Sequence, residues 1–418
     1  MNRREFLKQM GLLSLTLLLA PLENGLVRAQ NGLSRSGRLI KPASTKRLVV
    51  VFLRGAVDGL NIVIPSAENY YYDARPNIAI PEPGKPDGAL GLNHQFGLHP
   101  ALSPLLPFWQ QKQLAFVHAA GSPNPTRSHF EAQDYMETGM PGNHQLHDGW
   151  MNRLLQVMHG PHSPTQAINF GPTIPRILNG PETVANISSG RNPAQSMLVD
   201  RPAVNSAFER LYSGTDALSQ DFQEGRAARK EIAADLDEEM RMANNGAPLP
   251  NGFNATATQL AELMQRDSQI KMAFIGLGGW DTHVNQGSAK GQLAGRLKPL
   301  GEGLATLMSG LGPELDNTTI VVMSEFGRTV RENGNQGTDH GHGNVMWILG
   351  GGVQGGKIYG EWPGLDESRR YEGRDLAITT DFRDVFSSIL QSQFALSTDE
   401  LSTVFPRYQP AHSVLKWS

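Results

Sequence analysis

Short apolar runs rich in β-branched residues recur along this chain with helical patterns between them, and no other feature restricts its fold as strongly. The runs cover residues 48–52, 114–118, 271–275, 319–323 and 345–349. Each has strand length and is close to continuously apolar, as a strand buried on both faces of a sheet must be. Helical patterns cover 100–110, 128–137, 148–158, 256–266, about 288–309 and 381–393. This alternation predicts an α/β fold, a mostly parallel sheet sandwiched between helices. From about 175 to 254 the alternation breaks. Within that stretch 222–242 is charged and helical in pattern, so the sequence predicts a helical insertion, either a solvated helix or a partner-binding one.

The first thirty residues lie outside the pattern. Arg3-Arg4-Glu5-Phe6-Leu7-Lys8 precedes an apolar run over 10–22, and Val27-Arg28-Ala29 has the small-x-small form of a cleavage site. A basic start, an apolar middle and a cleavable end make a signal peptide. The paired arginines before Phe-Leu-Lys resemble the twin-arginine export signal. The apolar run is short for a membrane span of ~20 residues. The expectation is a signal peptide over 1–29, a mature domain over 30–418 with no stable membrane span after cleavage, and a periplasmic or secreted protein.

Composition narrows the chemistry. None of the 418 residues is cysteine, which excludes disulfides, thiolate zinc sites, iron–sulfur clusters and thiol nucleophiles. Any metal must then sit on His, Asp or Glu. Basic and acidic residues number 37 and 40, a net charge of −3, with no basic footprint for nucleic acid.

In an open parallel sheet, ligands bind beyond the carboxyl ends of the strands. The segments that follow the runs therefore carry the functional reading. After 48–52 comes Arg54-Gly55-Ala56-Val57-Asp58-Gly59-Leu60-Asn61, and after 114–118 a Pro/Gly loop ending in Thr126-Arg127-Ser128-His129-Phe130. After 271–275 comes Gly278-Gly279-Trp280-Asp281-Thr282-His283, and after 319–323 Ser324-Glu325-Phe326-Gly327-Arg328-Thr329. Gly337-Thr338-Asp339-His340-Gly341-His342-Gly343 leads into 345–349. Four strand ends and one loop before a strand thus bear carboxylates, imidazoles or both.

Taken singly, most of these residues admit two roles. Asp58 beside glycine is a turn residue or a ligand. Asp281 and His283 either cap the following helix or, on one face of an extended segment, chelate a metal. Glu325 is a ligand or an ion-pair partner for Arg328. His340 and His342, two apart in a glycine loop, have little structural reason to be there and read as metal ligands. Five of the 12 histidines lie in or beside these motifs (His118, His129, His283, His340 and His342), while the others, His99 among them, read as surface or loop residues. Ser128 is a candidate nucleophile at a helix start, with Arg127 supplying charge; with Glu131 three residues on, it is equally a capping box.

A mixed Asp/Glu/His set without sulfur suits Zn, Mn, Fe or Ni and is too rich in imidazole for calcium. The expected cofactor is one or two divalent ions, Zn or Mn. Two ions ~3.5–4 Å apart would clamp the attacking and leaving oxygens of a phosphoryl or sulfuryl displacement.

Taken in order, these motifs and the twin-arginine start resemble the alkaline phosphatase and sulfatase superfamily. Closer still is the resemblance to a secreted bacterial family within it, called domain of unknown function 1501. The resemblance implies an alkaline phosphatase-like fold. It matches Asp58 to a bridging aspartate, Ser128 to the helix-start nucleophile, Asp281 and His283 to an Asp/His pair on one metal, Glu325 to the carboxylate after a late strand, and His340 or His342 to the last histidine ligand. Two departures stand out. Glu325-Phe326 replaces the Asp-His of many superfamily members, removing one imidazole. The cysteine or serine that opens the sulfatase signature is replaced by Pro123.

The function expected from residues and resemblance together is an exported metal-dependent hydrolase of phosphate- or sulfate-type esters, its metal site intact or degenerate. Asp58, Asp281, His283, Glu325, His340 and His342 would hold metal, and Ser128 with Arg127 would act on the ester. Its substrate would be a small-molecule or envelope-derived ester. The other expectation is a non-catalytic periplasmic protein that binds a ligand or an envelope partner on the same fold.

Overall fold

The computed structural model describes residues 45–158, 163–187, 240–411 and 413–417. The signal peptide expected over 1–29, and residues 188–239 of the expected insertion, lie outside the described residues.

Among the described residues, twelve strands form two sheets. They are β1 (Arg47–Leu53), β2 (Val63–Ile64), β3 (Leu90–Gly91), β4 (Gly97–Leu98), β5 (Leu114–Gly121), β6 (Ala167–Phe170), β7 (Ala185–Ile187), β8 (Met272–Leu277), β9 (Thr318–Ser324), β10 (Asn344–Gly350), β11 (Lys357–Tyr359) and β12 (Thr380–Asp381). The nine-stranded main sheet runs β11-β5-β10-β9-β1-β8-β6-β7, with β12 also paired to β5; β2, β4 and β3 make a small second sheet. Every pairing in the main sheet is parallel except those of β10, which is antiparallel to both β5 and β9. All five apolar runs are therefore strands of one sheet, and the short strands β6, β7, β11 and β12 extend it. β7 falls inside the stretch read as an insertion and forms the sheet's edge.

Side chains alternate across the pleat, so each central strand feeds two cores. Val49, Val51, Ile275, Ile320 and Val322 pack with the helices Phe253–Arg266 and Gln292–Leu311 on one face. Leu48, Val50, Phe52, Phe274 and Val321 pack with Trp150–Val157 and Phe382–Phe394 on the other. The pattern over 100–110 is not one helix. It divides into a 3-10 turn, Pro100–Leu105, and a short α-helix, Leu106–Gln110. Pro104 lacks the N–H that an α-helical ladder needs, whereas Pro107 sits in the first turn of the second piece, where none is needed. No helix among the described residues is long and apolar enough to cross a membrane.

Register sets the edge where chemistry collects. Leu53 pairs with both Leu277 and Ser324, so β1, β8 and β9 end level with one another. Asn344, the first residue of β10, pairs with Ala120 near the end of β5. Because β10 runs the opposite way, its beginning lies on the edge where its neighbours finish.

Candidate metal centre

Close backbone packing gathers the loops at this edge. In the turn after β1, Gly55 has φ +112, and a Cβ there would lie 2.7 Å from the backbone nitrogen of Asp281. After β9, a Cβ on Gly327 would lie 1.8 Å from the carbonyl oxygen of Gly343. Glycine is required at both places. Ser128 caps the helix His129–Thr138, accepting a hydrogen bond from the Glu131 N–H, and left-handed Gly139 ends it. His129 is thereby fixed in the first turn, beside the ends of β1 and β9.

Three imidazoles and a carboxylate converge. His129 Nε2 lies 2.9 Å from His340 Nε2, and His283 Nε2 lies 3.0 Å from the same atom. Asp281 Oδ1 is 2.9 Å from His283 Nε2 and 3.4 Å from His340 Nε2, while Oδ2 is 3.5 Å from His129 Nε2. His129, Asp281 and His340 form a three-residue group that could hold a metal ion.

The outer nitrogen of each ring faces an acceptor. His129 Nδ1 lies 2.8 Å from Glu325 Oε1, His340 Nδ1 2.9 Å from the Arg127 carbonyl oxygen, and His283 Nδ1 3.3 Å from Asp339 Oδ1. With the outer nitrogens able to keep their protons on these acceptors, the inner Nε2 atoms can turn lone pairs toward a cation. Lone pairs about 3 Å apart repel unless a cation lies among them. A tetrahedral ion with Zn–N bonds of ~2.0–2.1 Å sets its ligands roughly 3.4 Å apart. The donor set fits a Zn-type divalent ion.

Charge at the centre follows the same logic. Burial works against a proton on His129, yet hydrogen bonds to Asp281 and Glu325 outweigh it and raise its pKa to about 9. Burial also opposes the charge on Glu325, but its bond to His129 and a bond from Gln133 Nε2 at 3.0 Å bring its pKa down to about 2. Asp281, though buried, is held well below the usual carboxylate range by Arg328 and the three imidazoles. Arg328 is fully buried. It donates to Asp281 Oδ1, to the Gly55 carbonyl at 2.7 Å, to the Ala56 carbonyl at 2.6 Å and to the Thr338 carbonyl at 3.0 Å. One guanidinium ties together the loops after β1 and β8 and the loop before β10.

Of the residues expected to hold metal, Asp281, His283 and His340 come together. Glu325 stands one step back, accepting from the Gly55 N–H at 2.8 Å while its Oε1 faces His129. Asp58 has another partner: both its oxygens bind Arg75, at 2.6 and 3.1 Å, and Oδ2 also accepts from Gln286 Nε2 at 2.7 Å. A fully buried carboxylate needs a counter-charge, and Arg75 supplies it. His342 packs at a tilt against Tyr371, ring centroids 4.3 Å apart, and is not in the three-residue group. The Arg127 guanidinium is bound by Glu372 at 2.6 Å and Asp375 at 2.8 Å, so its charge is spent on the protein, and its carbonyl instead positions His340.

His129 takes the place sequence reasoning offered to Glu325 and His342. The signal for it was present, a histidine in the first turn after a strand-end loop, but it was overshadowed by the serine before it. Gln133 and Gln286, which bind Glu325 and Asp58, had no sequence signal. His99, read as a surface or loop residue, is fully buried.

No curated protein matches the chain. Among solved structures it is similar to a protein in the alkaline phosphatase superfamily from Vibrio parahaemolyticus, at 12% identity and TM-score 0.36, over 76% of this chain and 64% of that one. It is also similar to Ps i-CgsB in complex with k-i-k-neocarrahexaose, at 10% identity and TM-score 0.38, over 86% of this chain and 74% of that one. The family described as "Protein of unknown function (DUF1501)" matches residues 45–402, which include every segment that builds the centre, and the chain belongs to that family.

Proposed function

We propose that this protein is an exported metal-dependent hydrolase of phosphate- or sulfate-type esters. The observation that carries the reading is the meeting of His129, Asp281 and His340 at the carboxyl edge of the sheet, with each imidazole braced from behind by an acceptor. His129, Asp281 and His340 would hold the ion. A divalent ion held there supplies a Lewis acid that draws charge from an ester oxygen.

The chain's own residues would do the rest. Ser128 is exposed, and its Oγ accepts only a long hydrogen bond, 3.5 Å, from the Glu131 N–H. Its oxygen would attack phosphorus or sulfur as the hydroxyl proton passes to solvent, and the bond to the alcohol oxygen would break, the alcohol leaving with a proton taken from solvent. Water later releases phosphate or sulfate from Ser128. The first N–H groups of the ten-residue helix His129–Thr138 favour the anion that the reaction handles.

The test is turnover of aryl phosphate monoesters, diesters and sulfates by the metal-loaded protein. Wild-type rates no higher than those of His340→Ala would overturn the reading. A non-catalytic ligand-binding protein is the second reading, favoured by Phe326, whose ring stacks on His129 at 5.0 Å where another imidazole would complete a larger site. Bound metal without turnover on any ester would select it. Export is tested by changing Arg3-Arg4 to Lys-Lys, which should trap the precursor in the cytoplasm; unimpaired secretion would count against a twin-arginine signal.

A further inference from the structure

The centre offers two overlapping places for a cation, and they differ in what already fills them. One lies among His129 Nε2, Asp281 Oδ2 and His340 Nε2. The other lies on the far side of Asp281, among Oδ1, His283 Nε2 and again His340 Nε2. His340 has one inner nitrogen to give, so it can serve one of them at a time. Arg328 decides which. Its Nη2 donates to Asp281 Oδ1, its Nη1 lies 3.5 Å from His283 Nε2, and the Gly55, Ala56 and Thr338 carbonyls, from two loops, hold it there. A fixed positive charge therefore already stands on the His283 side. Asp58, a carboxylate that could have helped hold a second ion, is bound bidentately by Arg75.

We propose that the centre takes a single divalent ion, on the His129 side, and that the Arg328 guanidinium supplies the second positive charge a two-ion site would have. This rests on the hydrolase reading above and specifies its metal content. Arg328 is buried and bound to protein acceptors, so its charge would act through Asp281 and not by touching the ester, and it cannot be removed by chelation.

The experiment is equilibrium dialysis of the full-length mature protein against increasing Zn2+, with bound zinc counted per chain, and a parallel Mn2+ titration followed by electron paramagnetic resonance. Saturation at one equivalent, with an uncoupled Mn2+ spectrum, is expected. Two tight equivalents or a spin-coupled Mn2+ pair would overturn the single-ion proposal and leave the hydrolase reading standing. No tight equivalent would overturn both. His129→Ala and His283→Ala locate the ion: the first should weaken zinc binding at least 100-fold, the second less than 10-fold. The reverse ranking would place the ion beside Arg328 and overturn the assignment. Circular dichroism of both variants confirms that each is folded.

Discussion

His129 and His340 meet nitrogen to nitrogen, Nε2 to Nε2 at 2.9 Å, with the far nitrogen of each ring committed to an acceptor. In the metal-free protein the raised pKa of His129 leaves a proton to fill this gap, and a metal ion takes its place when bound. Binding of the ion should therefore stabilise the fold measurably. At free zinc 100 times the dissociation constant, the gain is about 2.7 kcal/mol. Chelation should lower the melting temperature of the wild type and leave that of His340→Ala unmoved. Equal sensitivity of the two proteins would show that the stabilising ion is elsewhere.

Glu325→Gln tests the support behind His129. The amide keeps an oxygen for the Gly55 N–H and His129 Nδ1 but removes the charge that orients and enriches the imidazole. Loss of such a carboxylate weakens metal binding by about 10–100-fold. The far-ultraviolet dichroism should not change. Zinc affinity equal to wild type would leave Glu325 a purely structural residue.

Ser128→Ala separates attack from capping. Loss of the cap alone costs about 0.5–2 kcal/mol of stability and leaves turnover nearly intact. If Ser128 Oγ attacks, turnover disappears while bound zinc stays at the wild-type level. Ser128→Thr should restore the cap without restoring the rate. A Ser128→Ala protein at full rate would remove this hydroxyl from the reaction.

Acid stability should report two buried histidines that are not metal ligands. His118 Nδ1 accepts from the Ala119 N–H at 3.0 Å and Nε2 faces the Val63 carbonyl at 2.9 Å; His99 Nδ1 accepts from the Ala101 N–H at 3.0 Å and Nε2 faces the Ser288 carbonyl. Neither ring has a place for a second proton, and burial lowers both pKa values to about 4. The unfolded chain takes up those protons from about pH 6.5 downward, so stability is full above that and falls as pH drops towards 4. Each histidine contributes a loss of order 3 kcal/mol by pH 4. His129, whose pKa is raised, acts in a separate window: in the metal-free protein its contribution is lost as pH rises through about 9. Urea unfolding at pH 7 and pH 5 measures the effect. Identical midpoints would contradict the neutral, buried state of both rings.

Gly327→Ala should lose zinc binding together with much of the fold. Its Cβ would overlap the Gly343 carbonyl, which is backbone and cannot swing aside, and the loop carrying His340 would be pushed out. Gly334→Ala, in the loop that precedes His340, meets nothing within 4 Å and serves as the matched control. Equal zinc affinity in the two variants would mean that this contact does not position the site.

Much of this molecule is legible in its residue order. The five apolar runs declare themselves as strands because a segment buried on both faces has no polar positions to spare. Rules of connection then put the chemistry after them, at Asp281, Glu325 and the Ser128-His129 pair. Roles within the site were less legible, since spacing says which residues share a loop and nothing of what each will meet. Asp58 reads as a ligand in sequence, but Arg75, 17 positions along the chain, takes both its oxygens. His340 and His342 had equal standing in sequence, but one ring lies in the centre and the other on Tyr371.

The residue sequence by itself determined the α/β class, the strands, the exclusion of thiolate ligands and the neighbourhood of the site, because burial and backbone chemistry act locally and leave a periodic mark. Only the tertiary structure decided the direction of β10, the partner of Asp58 and the convergence of His129 with His340, residues 211 positions apart. Apolar content is the same for a strand running either way, so the reversal that carries His340 to the shared edge left no mark in the pattern. Pairing between distant side chains is settled by which loops the packed sheet brings within hydrogen-bonding distance.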